Sequence, residues 1–222
     1  MGMVASPEQL VELVDLFKAG GKRLEFPKNG YIIHPGEFPP GVFYIETGAV
    51  KAYDITRYGE ENLLSIRKAH ELFPLIWGLT GQERHIIYQA LGPTIVWRIT
   101  RQQFLDFITN NPTAYAPLLD MTLEMYRLHS ERILNLEYRT VRERLISFLL
   151  TMSDRFSKID KETGAVTIDI PLKHQDIASS INSSRETTSR ELSALERRGL
   201  ISSQQSIITL LDVEALEDSL SR

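Results

Sequence analysis

The stretch SSRETTSRELSALERRG (183–199) places two arginines, a glutamate and a serine where one helix face would gather them. With Ser184 as N-cap, a turn of 100° per residue brings Arg185, Glu186, Ser189 and Arg190 within an arc of about 140°. Thr188, Leu192 and Leu195 fall on another side at i, i+4 and i+7, an apolar face for docking. A guanidinium is a rigid fork of donors that matches the O6 and N7 acceptors of guanine. A carboxylate accepts from the amino group of cytosine. The chemistry these residue types offer is recognition of base-pair edges. Their plainer use is an i, i+4 pair between Glu186 and Arg190 on a solvated helix, worth about 0.2–0.5 kcal/mol.

The setting favours the first use. A shorter helical pattern, QDIASSI, precedes the stretch and ends in NSS, where Asn182 stands at a tight-turn position suited to a left-handed residue. LISSQQSIITLLD (200–212) follows and reads as a β-hairpin. Helix, tight turn, helix and hairpin make a winged helix-turn-helix, whose second helix offers its N-terminal residues to the major groove. From Lys173 to Arg198 five cationic residues oppose four acidic ones, a balance of +1. Attraction to phosphates would be modest, and a dimer would present two such surfaces.

The rest of the 222-residue chain must hold that element in place. Its length fits two domains and a connector. From Arg23 to about Thr100 short apolar runs alternate with turn residues, as in YIIHPGE, GVFYIETGAVKAY and TIVWRIT. This is the texture of an antiparallel β-roll or sandwich, with turns at 35–37 and 46–48. Ser6 and Pro7 open a short helix ahead of it. TRQQFLDFITNNP is another short helix, stopped by Pro112. A long helix over about 113–137 carries Leu118, Thr122, Met125, His129, Ile133 and Leu136 in one narrow stripe, the pattern of a two-chain seam. TVRERLISFLLTMSDRF (140–156) is amphipathic, SKIDKETGAV (157–166) reads as a polar loop, and VTIDIPL as a short strand. The expected architecture is α+β. An N-terminal antiparallel β-roll covers 1–111, a dimerisation helix 112–139, and a winged helix-turn-helix 140–222.

Composition excludes several classes of function. There are no cysteines, so disulfides, thiolate metal sites and cysteine-ligated iron–sulfur clusters are ruled out. No metal site is expected. The net charge of −4 carries no global nucleic-acid signature. The longest apolar run, LFPLIWGL (72–79), is too short to span a membrane, and a cytoplasmic location is expected. The opening MGMVAS matches a myristoylation pattern that recurs by chance in many sequences.

HQDIASSINSSRETTSRELSALERRGLI closely resembles the DNA-binding segment of the cyclic-AMP receptor protein/FNR superfamily of bacterial transcription regulators. PGEFPPGVFYIETGAVKAY resembles that family's β-roll, and NLEYRTVRERLISFLL the junction between its dimer helix and its DNA domain. The resemblance implies that Arg185, Glu186 and Arg190 read bases as in the receptor-protein branch, or Glu186, Ser189 and Arg190 as in the FNR branch. Ser184, Thr187, Lys173 and Gln175 would complete the DNA-facing set. The implied partners are a palindromic duplex with half-sites resembling TGTGA or TTGA, a second copy of the chain and, for an activator, RNA polymerase.

The sensor half departs from the family's cyclic-AMP binders, in which a Gly-Glu-Leu turn and an Arg-Ser pair hold the nucleotide. Alignment through GQER (81–84) sets Arg84 on the phosphate arginine and His85 on the serine. Phe73, Pro74 and Leu75 then stand in place of Gly-Glu-Leu, so the carboxylate for a ribose hydroxyl is missing. Proline also has no amide hydrogen to offer a phosphate. Cyclic AMP is therefore not the expected effector. The candidate pocket is Phe73, Pro74, Leu75, Arg84 and His85, joined by His129 and Ser130, where family members let the dimer helix touch the effector. Two readings stay open: an apolar or small aromatic effector, or a cavity filled by the chain's own side chains. An enzyme has no motif in its favour, and a β-roll scaffold leaves the recognition residues without a use.

Overall fold

The computed structural model describes residues 7–160, 162 and 164–220. The expected Ser6 cap and the MGMVAS pattern lie outside them. Two compact units divide the chain, Met1–Asp54 with Ile66–His129, and Ile55–Ser65 with Ser130–Arg222.

The first unit opens with helix α1 (Pro7–Gly20) and continues through strands β1 (Lys22–Phe26), β2 (Tyr31–Ile33), β3 (Val42–Thr47) and β4 (Val50–Ile55). Then come β5 (Glu61–Arg67), which enters this unit only at Ile66, β6 (Leu72–Phe73), helix α2 (Leu75–Thr80), β7 (Ile87–Ala90), β8 (Thr94–Ile99) and helix α3 (Arg101–Asn110). Two sheets form, in the orders β1-β8-β3-β6 and β2-β7-β4-β5. The expected turns are real: Gly36 and Gly48 take φ of 77° and 91°. A Cβ on Gly48 would stand 2.5 Å from Thr94 Oγ1, so the turn requires glycine.

Strand β3 explains the layering. Val42 and Tyr44 point to one side, into a core with Leu13 and Phe17 of α1 and Phe104 and Ile108 of α3. Phe43 and Ile45 point to the other, into the core between the sheets with Ile33, Val50, Ala52, Phe73, Tyr88 and Val96. A period of two with both faces covered makes β3 a continuous apolar run rather than an alternating one. Helix α3 starts at a capping box, where Thr100 Oγ1 accepts from the Gln103 amide and the Gln103 side chain accepts from the Thr100 amide.

After a 3-10 turn at Pro112–Ala114, helix α4 runs from Tyr115 to Tyr138. Pro117 is buried in its first turn, where no intrahelical amide bond is lost.

The second unit contains α5 (Val141–Phe156), β9 (Ser157–Ile159), β10 (Val166–Ile168), α6 (His174–Ser180) and α7 (Arg185–Arg197). β11 (Ile201–Gln204), β12 (Ile207–Leu210) and α8 (Val213–Asp218) follow. Its sheet has the order β11-β12-β10-β9. The segment expected to be a polar loop thus contains a strand, β9. All three of its residues are exposed and among the described residues it pairs only with β10, so it shows no apolar alternation. The wing is a tight hairpin whose two loop residues, Gln205 and Ser206, take φ of 50° and 69°, the primed geometry that suits strand twist. Leu145, Ile146 and Leu149 of α5 are buried, as are Ile177, Leu192, Leu195, Ile208 and Leu216 from the other elements of the unit.

Candidate DNA-reading site

Helix α6 ends at Ser180, and the chain turns through Asn182, whose φ is 49°. Asparagine tolerates this left-handed geometry better than other residues that carry a side chain. The Ser183 amide donates to the Ala178 carbonyl at 2.9 Å and closes the turn. Ser184 then caps α7: its hydroxyl accepts from the Thr187 amide at 3.1 Å and donates to Thr187 Oγ1 at 3.0 Å. At the far end Gly199 takes φ of 70°, and the Leu200 amide reaches back to the Leu195 carbonyl, a glycine-terminated helix.

The apolar face expected for α7 is the one that docks, with Thr188, Leu192 and Leu195 all buried. Arg185, Glu186 and Arg190 are exposed and Ser189 is half-buried. Among the described residues none of the three charged side chains has a partner, so the i, i+4 pair between Glu186 and Arg190 is not formed. Lys173 and Gln175, exposed at the start of α6, and Ser184 and Thr187 lie on the same two-helix element.

One ion pair steadies the reading helix. Arg142 Nε on α5 donates to Glu191 Oε2 on α7 at 2.7 Å. Glu191 follows Arg190 directly, so the tie sits one residue from the exposed face of Arg185, Glu186 and Arg190. No pattern local to residues 183–199 could have revealed it, because its partner lies 49 positions away. Helix α5 is itself fixed by a capping box. Thr140 donates its amide and its hydroxyl to Glu143 Oε2, both at 2.7 Å. These bonds, the hydroxyl's first, hold the Glu143 carboxyl below the usual carboxylate range.

In the first unit the candidate effector residues do not share one environment. Phe73 is fully buried between the sheets, stacked on Phe43 at 5.1 Å and on Tyr88 at 4.7 Å. Pro74 is buried and precedes α2, Leu75 is half-buried against the helix-side core, and Arg84 and His85 are exposed. Burial pushes the Tyr88 phenol up, while the charges of Arg67 and Arg84 pull it down. At the position where the sequence comparison expects a ribose-binding carboxylate stands Pro74, and the adjoining Phe73 is a core residue. On α4, His129 is exposed and Ser130 half-buried. Of the other residues in the expected seam, Leu118 and Met125 are buried within the chain, whereas Thr122, Ile133 and Leu136 are exposed.

Comparison with known proteins gives the same two-part picture. A cyclic nucleotide-binding domain model matches residues 23–111, and a Crp-like helix-turn-helix domain model matches residues 143–219. The global nitrogen regulator of Nostoc sp. is 30% identical over 194 residues, covering 83% of each chain. The cAMP-activated global transcriptional regulator CRP of Salmonella typhimurium is 27% identical, covering 84% of this chain and 88% of its own. Among solved structures, FixK2 from Bradyrhizobium japonicum superposes with a TM-score of 0.75 at 23% identity, covering 89% of this chain and 96% of its own. The two sequence relatives carry the names of regulators, the second of them transcriptional, and not of enzymes. No described helix is long and apolar enough to cross a membrane. With a β-roll of the cyclic-nucleotide-binding type joined to a Crp-like reading head, the chain belongs to the cyclic-AMP receptor/FNR superfamily of DNA-binding transcription regulators.

Proposed function

We propose that the protein works as a homodimer that reads a palindromic duplex with Arg185, Glu186, Ser189 and Arg190 of each α7, without needing a cyclic nucleotide. The observation that carries the reading is the set of unpartnered, exposed charges on the first two turns of a capped, docked helix. Arg185 and Arg190 each take a guanine, and Glu186 accepts from a cytosine amino group. Lys173, Gln175, Ser184 and Thr187 meet the backbone, where contacts set position rather than sequence.

The dimer reading rests on α4. Leu119, Thr122, Tyr126, His129, Ile133 and Leu136 are all exposed and follow one another at spacings of 3, 4, 3, 4 and 3. That is a heptad seam, with Leu119 and Tyr126 standing where the periodicity alone put Leu118 and Met125. Tyr126 at 71% and Ile133 at 62% exposure are the large apolar groups a second copy would cover. Such a dimer is two-fold symmetric, so its site is a palindrome with half-sites about one helical turn apart. It acts in the cytoplasm, beside RNA polymerase where it activates.

For the β-roll, the stacking of Phe73 between Phe43 and Tyr88 favours a roll filled by its own side chains over one shaped for an effector. The test is selection of bound duplexes from a random pool by the purified protein. Enrichment of a palindrome without added ligand supports the account. Enrichment of a single asymmetric half-site, or of nothing until a small molecule is added, would overturn the corresponding part.

A further inference from the structure

The tip of the β4–β5 hairpin belongs to the second unit, and one serine holds it there. Ser179, in the last turn of α6, donates its hydroxyl to the Glu61 carbonyl at 2.8 Å and accepts from the Leu63 amide at 2.6 Å. Arg132 of α4 closes the junction. Its two terminal nitrogens donate to the Leu63 carbonyl at 2.8 Å and to the Ser179 carbonyl at 3.4 Å. Three elements, far apart in the chain, meet through main-chain groups tied by two side chains. Leu63 is buried and Ser179 and Arg132 half-buried, so the bonds are shielded from competing water.

The tip is a preformed object. The Thr56 amide donates to the Glu60 carbonyl at 2.8 Å, and Thr56 Oγ1 accepts from the amides of Tyr58 and Glu60. What the serine holds is the start of β5, the strand that leaves this fixed turn. The junction leaves the reading face open, since Arg185, Glu186 and Arg190 remain exposed while it is closed. It does not block the site. It fixes α6, and α7 packed on it, to the stretch of α4 that carries Ile133.

We propose that Ser179 is a positioning residue for palindrome recognition, a latch that fixes the reading helices to the dimer helix. The proposal rests on the dimeric DNA-reading account. Two half-sites at a set spacing demand two reading helices at a set spacing, and freedom at the α4–α6 junction is lost on binding both. A single half-site makes no such demand. Opening the latch therefore weakens palindrome binding and relaxes the requirement for spacing, while half-site affinity stays as it was.

The experiment compares wild type with Ser179→Ala by amide exchange at Leu63 and by binding to three duplexes: the selected palindrome, the same half-sites one base pair further apart, and one half-site. In Ser179→Ala, Leu63 exchange rises roughly tenfold or more, and palindrome affinity falls roughly tenfold, as loss of two partly buried hydrogen bonds implies. Discrimination against the altered spacing shrinks, and half-site affinity does not move. Arg132→Met, which removes the other pair of bonds and keeps the apolar stem, shifts the same readouts in the same direction and stands in if Ser179→Ala does not fold. Unchanged Leu63 exchange, or equal losses on palindrome and half-site, overturns the latch. If wild type itself does not prefer the palindrome, the dimeric reading fails instead, and Leu63 exchange still shows whether the latch bonds exist.

Discussion

Leu118 and Ile133 lie on one helix and have opposite surroundings: Leu118 is 3% exposed within a core shared with α1 and α3, whereas Ile133 is 62% exposed. On the proposed dimer, Leu118 serves the chain's own core and Ile133 the partner copy. Ile133→Glu should split the dimer, because each subunit would bring a charge against its own copy. The melting temperature of the chain's individual domains should change little. Leu118→Glu should instead unfold the first unit, since it buries an unpaired charge among Leu13, Phe17 and Phe104. Light scattering and circular dichroism on the two variants check both halves. An unchanged dimer mass for Ile133→Glu would move the interface off α4.

Asn182 at φ of 49° makes a second prediction. Asn182→Gly should be close to neutral in stability, since glycine adopts this geometry freely. Asn182→Ala should lose about 1–2 kcal/mol, the cost of a left-handed residue that carries a Cβ. Thermal or denaturant unfolding measures both, and equal stability of the two variants would mean that the turn relaxes.

The capping box on α5 predicts an acid limb. Glu143 has a folded-state pKa below its unfolded value, so its contribution is complete at neutral pH and disappears as pH falls through the folded pKa. Thr140→Ala removes the hydroxyl bond, lowers stability at neutral pH, and narrows its gap to wild type as Glu143 protonates. A gap that stays constant down to strongly acid pH would show that the box contributes nothing through the charge.

Cyclic AMP and cyclic GMP should neither bind at micromolar concentration nor raise DNA affinity. Arg84 is exposed, and an exposed ion pair is worth about 0–1 kcal/mol. Micromolar binding needs about 8 kcal/mol. Calorimetry with either nucleotide decides. Micromolar binding would mean that other groups replace the carboxylate missing at Pro74.

The reading head was legible because its signals are local. The cap at Ser184, the turn at Asn182, the apolar face at Thr188, Leu192 and Leu195 and the glycine at 199 all lie within 18 residues. For the proposed seam, spacing alone leaves the choice of stripe open. Periodicity identifies an apolar stripe, but α4 carries two, and nothing in the spacing says that Leu118 and Met125 belong to the chain's own core. The same limit applies to Phe73. As a sequence, LFPLIWGL reads equally as pocket lining or filling, and its stacking on Phe43 and Tyr88 could not be read from it. The ties that position the head, Arg142 to Glu191 and Ser179 to Leu63, span 49 and 116 positions and leave no mark on local pattern.

The central claim is that α7 reads bases, and Arg190 tests it most directly. The measurement is a binding cycle: wild type and Arg190→Ala, each against the selected palindrome and against versions with one symmetric base-pair change in each half-site. The account predicts that Arg190→Ala costs about 1–3 kcal/mol on the palindrome and that the two proteins differ in preference at one base-pair position alone. A loss of equal size on every duplex would make Arg190 a phosphate contact, and no loss at all would take the reading face off α7.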